Sequence, residues 1–231
     1  MSAKHAGTQS KHGSIESLTL TGEAGGLEAL LNLGAPGAKY TALVCHPHPL
    51  FGGTMHNKVV YHAMKTLNAF GFPVLRFNFR GVGTSAGEHD EGRGEIADAR
   101  VALDYLAERF ALPILFAGYS FGAATGVRAA VAHTRVNALI LLGAPLNAEG
   151  REYSYEALET SARPKLLLSG TRDQFASPAQ LEQVFAHAAE PKRLVMIPEA
   201  DHFFGGHMEE LRTELRSWVG EVTGLAAPPA V

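Results

Sequence analysis

Ile114-Leu115-Phe116-Ala117-Gly118-Tyr119-Ser120-Phe121-Gly122-Ala123-Ala124 is the stretch on which the reading turns. An apolar run enters a Gly-x-Ser-x-Gly turn, and a series of small residues leaves it. A strand that bends sharply into a helix around a serine has a steric requirement. Side chains at the two flanking positions would collide with neighbouring backbone, so both are glycine. The bend lifts the serine hydroxyl clear of the sheet and sets it near a helix N-terminus, where developing negative charge is favoured. Ser120 is therefore the candidate nucleophile. The bland alternative is a serine in a structural turn, and the strand before it and helix after it weigh against that.

Outward from this segment, short apolar runs alternate with amphipathic stretches. Tyr40 to Cys45, Pro73 to Phe77, Ile114 to Gly118, Ala138 to Gly143, Lys165 to Ser169 and Arg193 to Ile197 read as buried strands, because parallel strands covered on both faces show continuous apolar runs. Between them, Val59, Val60, Ala63, Met64, Leu67 and Phe70 recur at helical spacing, as do Ile96, Ala99, Leu103 and Leu106. Gly122 to Ala132, Ser177 to Ala188 and Met208 to Val219 complete the helices, with Ser177-Pro178 as N-cap and first-turn residue. Upstream, Ser14 to Leu20 and Leu27 to Leu33 read as an antiparallel hairpin turning at Gly25-Gly26. The pattern predicts one α/β domain over residues 14–222, with a mostly parallel sheet of about eight strands and helices on both faces. Residues 1–13 read as a disordered arm and 223–231 as a flexible tail.

Composition fits this picture. Of 231 residues, 46% are hydrophobic and 19% charged, enough apolar surface for a large core. A net charge of −3 gives no basic field for nucleic acid, and no apolar run is long enough to span a membrane. Cys45 is the single cysteine, so no internal disulfide forms; it reads as a small buried side chain. The absence of a signal-like segment points to a cytoplasmic protein; a small-molecule ester as partner and a monomer or homodimer are the further expectations.

A serine hydroxyl needs a base, and in this arrangement the chain order is serine, acid, histidine. Asp173 follows Leu166-Leu167-Leu168, and His202 follows Leu194-Val195-Met196-Ile197, both at carboxyl ends of predicted strands, where such sheets build their sites. Asp201 is the rival acid, disfavoured because it would have to fold back on its own neighbour. Two backbone N–H donors must steady an oxyanion. Phe121 supplies one, and the His46-Pro47-His48-Pro49-Leu50-Phe51 loop the other. Prolines have no N–H, which leaves His48, with Leu50 as runner-up. A metal site at His46, His48 and His56 is the alternative, but no further ligand is marked, and no metal or organic cofactor is required. Asn78 to Ser85 is glycine-rich yet matches no phosphate-binding pattern and reads as a rigid loop. Leu50, Phe51, Tyr119, Phe175 and Phe203 are candidate pocket residues, as is Phe121, from sequence proximity alone.

Taken together, His46 to Val60 (His-Pro-His-Pro-Leu-Phe-Gly-Gly-Thr-Met-His-Asn-Lys-Val-Val), Arg76 to Gly81, Gly118 to Gly122 and Asp201 to Phe204 resemble the small lidless bacterial α/β-hydrolases over residues 14 to 222. The resemblance implies the α/β-hydrolase fold without a cap domain, a serine hydrolase triad at Ser120, Asp173 and His202, and esterase-type chemistry. The related dienelactone hydrolases carry cysteine where this chain has Ser120. Only Ala144 to Arg163 occupies the place where a cap is inserted, so an open site and short acyl chains are expected. A thioesterase, amidase or peptidase with the same three residues, and a binding protein on this fold, are the rivals.

Overall fold

In the computed structural model, which describes residues 14–148 and 150–229, Ile15–Gly22 (β1) and Gly25–Asn32 (β2) form an antiparallel hairpin. The expected N-terminal arm lies outside the described residues. The hairpin turns at Glu23-Ala24, two residues before the expected Gly25-Gly26, because Gly22 pairs with Gly25. Gly25 is still needed there: its φ is +115°, and a Cβ on it would lie 2.7 Å from that of Ala86.

Then follow β3 (Thr41–Cys45), α1 (Lys58–Ala69), β4 (Val74–Phe77), α2 (Arg93–Phe110), β5 (Ile114–Tyr119), α3 (Phe121–Ala132) and β6 (Val136–Leu142). After a two-stranded excursion, β7 (Asn147–Ala148) and β8 (Arg151–Glu152), come β9 (Lys165–Gly170), α4 (Pro178–His187), β10 (Lys192–Ile197) and α5 (Met208–Thr223). The fold is the α/β-hydrolase fold: one eight-stranded sheet in the order β1-β2-β4-β3-β5-β6-β9-β10. The runs read as buried strands are its parallel strands, and the hairpin joins antiparallel through β2 on β4.

Burial explains why those runs are continuous. Ile114 and Phe116 face one apolar layer, with α2 and α3; Leu115, Ala117 and Tyr119 face the other, with α1 and α5. Both faces are covered, so the few polar side chains along these strands, such as Arg76 and Ser169, are buried and hydrogen-bonded. At the sheet edge β10 is mostly half-buried, which departs from the expected full burial because only one neighbour, β9, flanks it. α5 runs to Thr223, beyond the expected end at Val219, and stops at Gly224, whose φ of +69° suits a helix terminus.

Candidate active site

β5 ends at Tyr119 and α3 begins at Phe121, so the whole change of direction falls on Ser120. Its φ is 54° and ψ −122°, backbone strain that costs on the order of 1–3 kcal/mol at a non-glycine residue. The strain is held by hydrogen bonds on both sides. Ser120 N–H donates to Leu142 O at 2.9 Å, and Ser120 O accepts from Ala123 and Ala124 N–H at 2.8 and 3.1 Å. The two glycines are sterically required. A Cβ on Gly118 would lie 2.6 Å from Ala123 Cα, and one on Gly122 would lie 2.5 Å from His46 O.

Asp173 follows β9 and His202 follows β10; at the carboxyl edge of the sheet the His202 side chain reaches Ser120 and the Asp173 carboxylate reaches His202. His202 Nε2 lies 2.9 Å from Ser120 Oγ, while its Nδ1 lies 3.1 and 2.9 Å from the two oxygens of Asp173. An ionised carboxylate only accepts, so Nδ1 carries the proton and Nε2 presents its lone pair to the serine hydroxyl. Asp173 is itself fixed, accepting from Ser169 Oγ and from Phe175 N–H, both at 2.8 Å. His202 and Asp173 are buried, which strengthens these charge-assisted contacts relative to water, and Ser120 is half-exposed. Asp201 does other work: its Oδ1 accepts from Phe203 and Gly205 N–H at 3.0 and 3.2 Å and so closes its own turn.

The backbone of His202 is held from two directions. Tyr119 Oη donates to His202 O at 3.1 Å, and His202 N–H donates to Gln174 Oε1 at 3.4 Å. The Tyr119 ring stacks on the imidazole with centroids 5.4 Å apart, and Phe175 and Phe203 stand at right angles to it at 4.6 and 5.5 Å. Burial pushes the Tyr119 phenol well up, so it stays a donor at all working pH. Tyr119 is thus a buried support beneath His202 rather than a wall of an open pocket.

The loop after β3 approaches from the opposite side. His46 is fully buried, with Nδ1 2.6 Å from Pro47 O and Nε2 accepting from Phe79 N–H at 3.0 Å. Burial lowers its pKa from 6.5 to about 4, and both nitrogens are engaged, so it has no lone pair to offer a metal. His56 is exposed, and among the described residues no group of three His, Cys, Asp or Glu side chains could hold a metal ion. The His48 ring packs between Phe51 and Phe121, centroids 4.9 and 4.8 Å away, and its Nδ1 accepts from Leu50 N–H at 3.2 Å. Burial, then His89 and Arg151, lower its pKa to about 4.

The glycine-rich loop after β4 is rigid for a visible reason. Asn78 Oδ1 accepts from Met55 N–H at 2.8 Å, Asn78 Nδ2 donates to Glu28 Oε2 at 2.8 Å, and Ser85 Oγ donates to Asn78 O at 2.7 Å. Arg80 grips Asp98 of α2 through Nε and Nη2, at 3.0 and 2.7 Å. The loop therefore ties β2, α2 and the His46–His56 segment together.

Of the candidate pocket residues, Leu50, Phe51 and Phe203 are exposed at the surface (66%, 63% and 57%), Phe175 is half-buried and Phe121 packs against the His48 ring. Sequence reasoning did not single out Ser169 or Gln174, nor the Tyr119 hydroxyl contact. Ser169 carries one usable signal, a hydroxyl directly after three leucines in a buried strand, four residues before Asp173.

Comparison with known proteins agrees with this architecture. The profile of the α/β hydrolase domain family matches residues 42–223. An α/β serine hydrolase homologue from Coxiella burnetii is 35% identical, with a TM-score of 0.79, covering 91% of this chain and 97% of that one. A protein from Xanthomonas campestris, described as an α/β serine hydrolase without lid, is 33% identical, with a TM-score of 0.79, covering 94% and 96%. A protein of Rickettsia prowazekii (strain Madrid E) is 35% identical over 185 residues, 77% of each chain. Here too, among the described residues between β6 and β9, there is a short hairpin and one turn of 3-10 helix, Glu156–Leu158, in place of a lid. By profile, by kinship and by topology, the chain belongs to the α/β hydrolase domain family.

Proposed function

We propose that the protein is a serine hydrolase that cleaves carboxylic esters, with short acyl groups, through an acyl-enzyme. One observation carries the reading: a single imidazole lies 2.9 Å from both Ser120 Oγ and Asp173 Oδ2. Ser120 Oγ attacks the ester carbonyl as its proton passes to His202 Nε2, and Asp173 holds the ring and offsets the positive charge. The oxyanion rests between the N–H groups of Phe121 and His48. Phe121 is the first residue of α3, so its N–H has no acceptor within the helix. Pro47 and Pro49 carry no N–H, which makes His48 the first donor of that loop past its leading proline. As the ester C–O bond breaks, His202 returns the proton to the leaving alcohol. A water deprotonated by His202 then releases the acid and restores Ser120.

Ser120→Ala removes the nucleophile. With p-nitrophenyl acetate as substrate, kcat falls by at least about 10³-fold and labelling by a fluorophosphonate disappears. Turnover within tenfold of the unaltered protein would exclude Ser120 as the nucleophile.

A further inference from the structure

Two phenylalanines, Phe203 and Phe175, flank His202, the imidazole that must protonate a leaving group. Phe203 is 57% exposed, and its ring stands edge-to-face with the imidazole, as does that of Phe175. Neither is loosely attached. Asp201 Oδ1 accepts from Phe203 N–H, Phe175 N–H donates to Asp173 Oδ1, and Phe175 O accepts from Leu146 and Asn147 N–H at 2.9 and 3.1 Å. The backbone that carries both rings is thus held by the same turns that position His202 and Asp173.

Cleavage places the leaving oxygen within hydrogen-bond reach of His202 Nε2, since that atom must hand it a proton. The carbonyl oxygen points away, toward the N–H groups of Phe121 and His48. The first atoms beyond the leaving oxygen therefore meet the rings beside His202. Those rings offer no hydrogen bond to a polyhydroxylated alcohol, and they match an aromatic group in shape and in edge-to-face geometry.

We propose that Phe203 and Phe175 select the leaving group, and that the substrates are esters of aromatic alcohols. This rests on the ester-hydrolase reading above and adds the class of alcohol to it. In the step concerned, the bond from the acyl carbon to Ser120 Oγ forms and the bond to the alcohol oxygen breaks. The serine proton travels by way of His202 Nε2 to that oxygen, and the freed aromatic alcohol leaves past Phe203.

The test compares benzyl acetate with 2-methoxyethyl acetate on the full chain: one acyl group, two alcohols of similar acidity. We expect kcat/KM to favour benzyl acetate by about tenfold or more, within the range that apolar pocket contacts supply. In Phe203→Ala the ratio collapses to about twofold or less, whereas Phe203→Leu, which keeps an apolar side chain, retains a clear preference for the benzyl ester. A purely structural lesion lowers both substrates in parallel and leaves the ratio alone. Equal rates on the two esters, or a ratio unmoved by Phe203→Ala, overturn the inference while fluorophosphonate labelling of Ser120 keeps the hydrolase reading intact. Absence of both labelling and turnover overturns the two together.

Discussion

At the scale of single residues, two aspartates compete for one imidazole, and their hydrogen bonds separate them. Asp173 gives both oxygens to His202 Nδ1, while Asp201 spends Oδ1 on the N–H groups of its own turn. Asp173→Asn should lower kcat by about 10⁴-fold with little effect on KM, because the amide no longer enforces the tautomer the serine needs. Asp201→Asn keeps an acceptor for its turn and should cost less than about tenfold. Steady-state kinetics on one ester decides the matter, and the reverse ranking would give the role to Asp201. Ser120, Asp173 and His202 were legible as candidates because each sits just past an apolar run, in the chain order that this fold uses. Ser169, Gln174 and the hydroxyl of Tyr119 were not. Their role lies in contacts such as that from Tyr119 to His202, 83 residues apart, which no local pattern encodes.

At the scale of elements, the turn from β5 into α3 is held by close backbone approaches on both sides. Gly122 faces the carbonyls at the end of β3, and a methyl group there would meet His46 O at 2.5 Å and Cys45 O at 2.7 Å. Gly122→Ala should destabilise the fold by roughly 1–3 kcal/mol and push the His46–His48 loop off the start of α3. The melting temperature should fall and fluorophosphonate labelling of Ser120 should slow; unchanged values for both would show that the close approach is dispensable. Strands and helices were readable because period and burial agree along each of them. The hairpin turn was displaced by two residues because the glycines that signal it follow the bend instead of forming it. The short β7–β8 hairpin carries no apolar periodicity at all, being held by two-residue pairing at the surface.

At the scale of the whole molecule, the sheet's composition could be read from the chain but not the order of its strands, since that depends on which loops cross which face. The buried histidine beneath the β3 loop also has a global consequence. His46 is neutral in the fold, with its pKa lowered from 6.5 to about 4, whereas the unfolded imidazole protonates near its ordinary value. Between these limits the unfolded chain binds more protons. The contribution of His46 is therefore complete above about pH 6.5 and is lost as pH falls toward 4, by about 3 kcal/mol in all. Urea unfolding should show declining stability across that window. By NMR the His46 ring should not titrate between neutral pH and about pH 5; a midpoint near 6.5 would refute its depressed pKa.

The N-terminal hairpin matters beyond its own strands. β2 covers the open side of β4, Asn32 Oδ1 accepts from the buried guanidinium of Arg76 at 3.3 Å, and Glu28 holds Asn78 and Thr84 in the loop that braces His46. A fragment trimmed to begin at β3 would bare the backbone of Val74 to Phe77 as an unsatisfied rim beside a cation stripped of one acceptor. Such a rim recruits its like, so the shortened protein should precipitate or stack into oligomers at concentrations where the intact chain stays dispersed.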